Sequence, residues 1–142
     1  MTMAEAATYE PSTVEQEEPD LVLTDPEPIG ARHALRLLLE ASALDRQQVD
    51  DLVGAVSEVV TNARLYGRPP VRLAAWDRDR QAIVTVSDGG EGPADPDAGV
   101  RPAKREVGAG GLGLWMARQM CEQVVMGRHA DGFTIRLVVG SA

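Results

Sequence analysis

The chain has 142 residues, 44% of them hydrophobic and 25% charged, the balance of one soluble globular domain rather than a disordered, fibrous or two-domain protein. One cysteine, Cys121, and two histidines, His33 and His129, leave too little for a disulfide framework, a multi-cysteine zinc site or a histidine-based metal centre. The net charge of −8 is unevenly placed: residues 1–28 hold eight acids and no Lys or Arg, and the rest is formally neutral.

Bases are spread singly from Arg32 to Arg136, so no basic stripe supports direct nucleic-acid binding. No run of about 18 apolar residues suggests a membrane span, and the acidic, polar start does not read as a signal peptide. The expected location is cytoplasmic.

Residues 1–20, rich in Glu and Pro, read as a disordered or loosely attached acidic tail, which leaves a single domain over 21–142. Leu21-Val-Leu-Thr24 suits a short edge strand, and Pro26 and Pro28 break the chain after it. From Ile29 to Leu44, Ala31, Ala34, Leu35, Leu38 and Leu39 recur at helical spacing. A second helix starts at Asp45, a plausible N-cap. It carries Val49, Leu52, Val53, Val56, Val60 and Ala63 on one stripe until Gly67-Arg-Pro-Pro70 stops it.

Val71–Trp76 and Ala82–Ser87 read as strands joined through Asp77-Arg-Asp-Arg80. The stretch Gly89–Gly113, with eight glycines and three prolines, is too long for an ordinary connection and marks a functional loop. Leu112, Met116, Ala117, Met120 and Val124 form a third helical stripe. Val124–Met126 and Phe133–Val139 then flank Asp131-Gly132, a hairpin signal. The order predicts an α+β fold, a two-layer sandwich with helices on one face of a mixed, largely antiparallel sheet. A Rossmann fold would alternate strands with helices, and no G-x-x-x-x-G-K-[ST] loop is present.

Three segments carry the chemistry. Glu58 and Asn62 are four apart and share a face of the second helix; alone, such a pair is usually just solvated. Asp88-Gly-Gly-Glu-Gly-Pro93 follows a strand and alone reads as a tight turn. Gly108-Ala-Gly-Gly-Leu-Gly-Leu114 opens the third helix, where unpaired amides and the positive helix end can hold an anion, although a bare glycine cluster also suits a linker.

In this order, E-x-x-x-N, D-x-G-x-G and G-x-G-G-L-G-L resemble the N, G1 and G2 boxes of the ATPase superfamily of gyrase, heat-shock chaperone, histidine kinase and MutL. More narrowly, Ala31-Arg32, Ser57–Ala63, Gly67-Arg-Pro-Pro70 and Gly111–Arg118 look like the stand-alone anti-sigma-factor serine kinases of actinobacteria, over about residues 20–139. The resemblance implies a Bergerat-type ATP-binding fold with ATP and Mg²⁺ as cofactors. By it, Asp88 accepts the adenine amino group, and Gly90 and Gly92 let the backbone pass close to base and sugar. Asn62 coordinates Mg²⁺ through its amide oxygen. Gly108, Gly110, Gly111, Leu112 and Gly113 cradle the triphosphate, residues 93–110 form a lid ordered by nucleotide, and Glu58 is the general base.

The activity so implied is a serine/threonine protein kinase that phosphorylates an anti-anti-sigma (STAS-type) partner and controls sigma factor availability, with a homodimer left open. A nucleotide-gated binding module without transfer is the alternative. Tyr66 departs from the histidine common in relatives. His33 lacks the Glu and Pro of a phospho-accepting box and reads as a partly exposed helix residue, and His129 as a strand-end or turn residue. Cys121 reads as a buried helix residue and Trp76, Trp115 and the later methionines as packing.

Overall fold

The computed structural model describes residues 8–92 and 111–141, with the backbone alone for 111–113. A 3-10 turn at Val14–Gln16 precedes β1 (Leu21–Thr24), α1 (Pro28–Leu39), α2 (Arg46–Tyr66), β2 (Arg72–Arg78) and β3 (Gln81–Asp88). After the segment outside the described residues come α3 (Gly111–Met120), β4 (Gln123–His129) and β5 (Gly132–Gly140). The expected lid over 93–110, with Gly108 and Gly110, lies outside the described residues.

The strands form one sheet in the order β1-β2-β3-β5-β4. All four ladders are antiparallel, in keeping with the largely antiparallel sheet expected from the sequence. The one parallel feature among the described residues is an isolated bridge between Thr8 and Arg128. The β2–β3 hairpin turns on Asp79-Arg80, with Asp79 in the left-handed region at φ 53°. The strands therefore run two residues further into Asp77-Arg78 than the polar composition suggested.

Local chemistry explains the helices. Pro28 opens α1, where its missing N–H is no loss. α1 stops at Leu39 rather than continuing to Leu44: the Glu40 and Ser42 amides donate to the Leu37 and Leu39 carbonyls at 3.4 and 3.1 Å, three residues back instead of four, and beyond them the Ser42 hydroxyl accepts from the Leu44 amide at 3.3 Å. Asp45 then caps α2 reciprocally: its Oδ1 accepts from the Gln48 amide at 2.8 Å, and Gln48 Oε1 accepts from the Asp45 amide at 3.0 Å. No helix among the described residues is long and apolar enough to cross a membrane.

Ala31, Leu35 and Leu39 of α1 and the Leu52–Ala63 stripe of α2 bury against Leu73, Ala75, Val84, Val86, Leu137 and Val139 of the sheet. Apolar burial of this kind is the dominant stabilising contribution. Both faces of the middle strands are covered, since Leu73 to Trp76 and Ala82 to Val86 are buried without interruption. Such runs in an antiparallel sheet require a second cover. Residues 8–20 supply it.

In contrast to the expectation of a loosely attached tail, this segment lies across the outer face as a strap. Val14 packs on a second apolar cluster of Ala74, Trp76, Ile83 and Val138. The Glu15 carboxylate, 5% exposed, pairs with Arg136 at 2.8 Å and accepts from the Tyr9 hydroxyl. The Trp76 ring N–H donates to the Glu17 carbonyl at 3.1 Å, and Arg78 pairs with Glu17 and Asp20. The acids that made the segment look solvated are the groups that fasten it.

Candidate functional site

Between the helix layer and the ends of β3 and β5 lies a cavity of about 250 Å³. Its walls follow from element periodicity. Val59, Asn62, Ala63 and Tyr66 are spaced three and four apart on α2 and share one stripe. Val86 and Asp88 alternate along β3, and Phe133 and Ile135 along β5, so each pair points to one face. The ladder sets Val86 beside Ile135 and Asp88 beside Phe133. Leu114, one turn into α3, closes the apolar lining.

The slot is thus largely apolar along its sides, with Asn62, Tyr66 and Asp88 as the polar side chains among its described lining. Asp88 is oriented by its own turn: Oδ1 accepts from the Gly90 amide at 2.6 Å and from the Arg68 amide at 3.4 Å, the geometry of a side chain closing a turn on its own backbone. A carboxylate only accepts, so the slot presents an acceptor to a ligand N–H.

Two contacts hold this turn in place. Gly92 has φ +79°, and a Cβ there would stand 2.3 Å from the Phe133 ring, so the backbone lies flat on that ring as only glycine allows. From the other side, Arg128 Nε donates to the Glu91 carbonyl at 2.8 Å.

The structure brings Asn62, Asp88 and Gly92 to one cavity and places Gly90 in the turn that orients Asp88. Gly111 is the first residue of α3, and Leu112 and Gly113 follow in its first turn, which borders the cavity through Leu114. Amides of a first turn have no intrahelical acceptor. Glu58 is exposed, one turn before Asn62, and is not among the residues lining the cavity. The lining contributed by Val59, Val86, Phe133, Ile135 and Tyr66 escaped the motif-based reading. Its signal was present in the α2 spacing and the alternation of β3 and β5, but these patterns equally describe core.

His33 is exposed on α1. His129 ends β4, its Nε2 2.8 Å from the Thr134 hydroxyl. Cys121 sits half-buried just past α3 rather than within it; burial first, then the Glu122 and Asp51 charges, push its thiol up to about 12. Among the described residues no group of three or more His, Cys, Asp or Glu gathers to hold a metal ion.

The profile of the Histidine kinase-like ATPase domain matches residues 24–139. Among solved structures, the RsbU and RsbW domains of Rv1364c from Mycobacterium tuberculosis superpose with a TM-score of 0.60 at 21% identity, over 86% of this chain and 32% of that one. The histidine kinase domain of the E. coli osmosensor EnvZ aligns with a TM-score of 0.49 at 18% identity, over 89% of this chain and 92% of that one. The first likeness is one of fold, and this chain spans less than half of the chain it matches. No curated protein matches.

Proposed function

We propose, from the premise that the chain belongs to the histidine kinase-like ATPase domain family, that it is an ATP-dependent serine/threonine protein kinase acting as an anti-sigma regulatory factor. Its substrate is then a STAS-type anti-anti-sigma protein whose phosphorylation governs sigma factor availability, and its setting the cytoplasm. The observation that carries the reading is the apolar slot with an oriented carboxylate, Asp88, at the end of β3. Its dimensions and chemistry suit a flat base with an exocyclic amino group. The resemblance of Ala31-Arg32, Ser57–Ala63 and Gly67-Arg-Pro-Pro70 to stand-alone anti-sigma kinases supports the substrate class.

Each residue then has a role. Asp88 accepts from the adenine amino group, while Val86, Ile135 and Leu114 exclude water from the ring faces. Asn62 would hold Mg²⁺ through its amide oxygen, and the ion would supply charge neutralisation for the phosphates. Gly111, Leu112 and Gly113 offer first-turn amides to the phosphates, and the resemblance implies the same cradle role for Gly108 and Gly110. Glu58 takes the proton of the acceptor hydroxyl as its oxygen bonds to the γ-phosphorus. The bond to the β,γ-bridging oxygen breaks, and ADP leaves. Such transfer needs mainly positioning and charge stabilisation, within reach of a small domain.

A second reading, a nucleotide-gated binding module, is favoured by one observation: Glu58 is exposed and does not line the cavity. Incubation with γ-labelled ATP and candidate STAS-domain proteins separates the two. Label on a Ser or Thr of the partner supports the kinase. Partner binding that depends on nucleotide, with no label transferred, supports the module.

A further inference from the structure

The N-terminal strap and the candidate nucleotide turn meet at one residue. β4 is an edge strand, and the strap extends that edge: the Tyr9 amide donates to the Arg128 carbonyl at 2.7 Å, with Thr8 bridged to Arg128 in parallel. The Arg128 side chain reaches the Asp88 turn, its Nε donating to the Glu91 carbonyl at 2.8 Å. Arg128 also faces Phe133 in the β4–β5 ladder, and the Phe133 ring is the surface on which Gly92 lies. The main chain of Arg128 therefore serves the strap and its side chain serves the turn that orients Asp88.

The strap's anchors lie elsewhere. Arg136 holds Glu15 at 2.8 Å and the Glu10 carbonyl at 3.2 Å, and its guanidinium lies 5.7 Å from the centre of the Tyr9 ring. The Ser12 amide donates to Glu15 at 2.7 Å. None of these residues lines the nucleotide cavity. The strap is a short cover held by polar contacts and by the apolar packing of Val14 and Tyr9 at the outer face, and short covers of that kind open locally at lower cost than the core.

We propose that the strap over residues 8–20 regulates the nucleotide cavity through Arg128: docked, it fixes the end of β4 and the Glu91 carbonyl, and so holds the Asp88 turn ready for adenine. This rests on the nucleotide reading above. Undocking removes the main-chain bond at the free edge of β4, and the Arg128 carbonyl loses its fixed partner. The turn then samples other geometries, and apparent affinity falls with the fraction in the accepting form. By linkage, nucleotide strengthens strap docking by the same factor.

The test uses the full chain. Tyr9→Ala combined with Glu15→Ala removes the anchors without touching the cavity, and Glu15→Gln gives a milder release that keeps side-chain size. Calorimetry with Mg·ATP should show affinity about fivefold or more weaker in the released protein, with smaller loss for Glu15→Gln. In an Arg128→Ala background, which keeps the main-chain contact to Tyr9 but cannot reach Glu91, release should cost nothing further. Unchanged affinity on release, or an equal further loss in the Arg128→Ala background, overturns the proposal. Hydrogen exchange without nucleotide separates this from the nucleotide reading: the amides of 89–92 should exchange faster on strap release. Unaltered exchange there overturns the linkage, whereas faster exchange in a protein that binds no ATP upholds the linkage and overturns the nucleotide reading.

Discussion

A Cβ on Gly132 would stand 2.0 Å from the carbonyl oxygen of Asp88. β5 can therefore begin beside the end of β3 only with glycine at this position, which also has φ +145°. The hairpin turn and the candidate site share this contact. What reads in the sequence as ordinary turn chemistry, Asp131-Gly132, is also a fitting condition for Asp88.

Gly132→Ala is expected to cost stability and binding together. Backbone strain of this kind is worth on the order of 1–3 kcal/mol, and relief of the clash must move Asp88. Urea unfolding should show a lowered midpoint, and calorimetry weaker adenine-nucleotide binding. A stability loss with binding unchanged would separate the turn from the site.

Asp88→Asn keeps an oxygen able to accept from the Gly90 amide, so the turn should survive. The charged acceptor for the adenine amino group is lost, a hydrogen bond worth about 1.5–3 kcal/mol. ATP affinity should fall by about ten- to a hundredfold with circular dichroism unaltered. Equal ATP affinity in the variant would remove Asp88 from base recognition.

Glu58→Ala should leave nucleotide affinity near that of the wild type, since Glu58 does not line the cavity. Transfer to a partner should fall by ~10²–10⁴-fold, as for loss of a positioned base. Single-turnover measurement of labelled partner checks this, and a wild-type rate would favour the module without transfer.

Strap docking should depend on pH at both extremes. Burial would raise the Glu15 carboxyl, but hydrogen bonds from Tyr9, Ser12 and Arg136 outweigh it and hold the group below its ordinary 4.5. A depressed carboxylate contributes docking stability above its ordinary value and loses it as pH falls through the depressed one. Asp20, held low by the Asp77 amide, acts in the same direction. Burial first, then Glu15, pushes the Tyr9 phenol above its ordinary 10.0. Its contribution is full below that value and lost as pH rises through the raised one. Fluorescence of Trp76 in a Trp115→Phe protein should be flat between about pH 5 and pH 10 and change outside that window.

The helix layer was legible because its signals are local. Asp45 and Gln48 sit three apart, and the Leu52–Ala63 stripe repeats at helical spacing within one segment. β1 and the Asp131-Gly132 turn were readable for the same reason. The strap was not, because its meaning lies in pairs far apart in sequence: Glu15 with Arg136, Trp76 with Glu17. Composition averages such pairs into a charged tail. The cavity was legible at Asn62 and Asp88, which stand in motifs. Its walls Val86, Phe133 and Ile135 carry the same alternation as any half-buried strand.

The strand order has a mechanical consequence. β1 lies at one edge, bound to β2 alone, whereas β5 sits between β3 and β4 and bonds to both. Force applied to the chain ahead of β1 would peel the strap and then one ladder, bond by bond. Force applied beyond β5 must shear two ladders together. The molecule should therefore yield in stages when pulled from one side and resist as a block when pulled from the other.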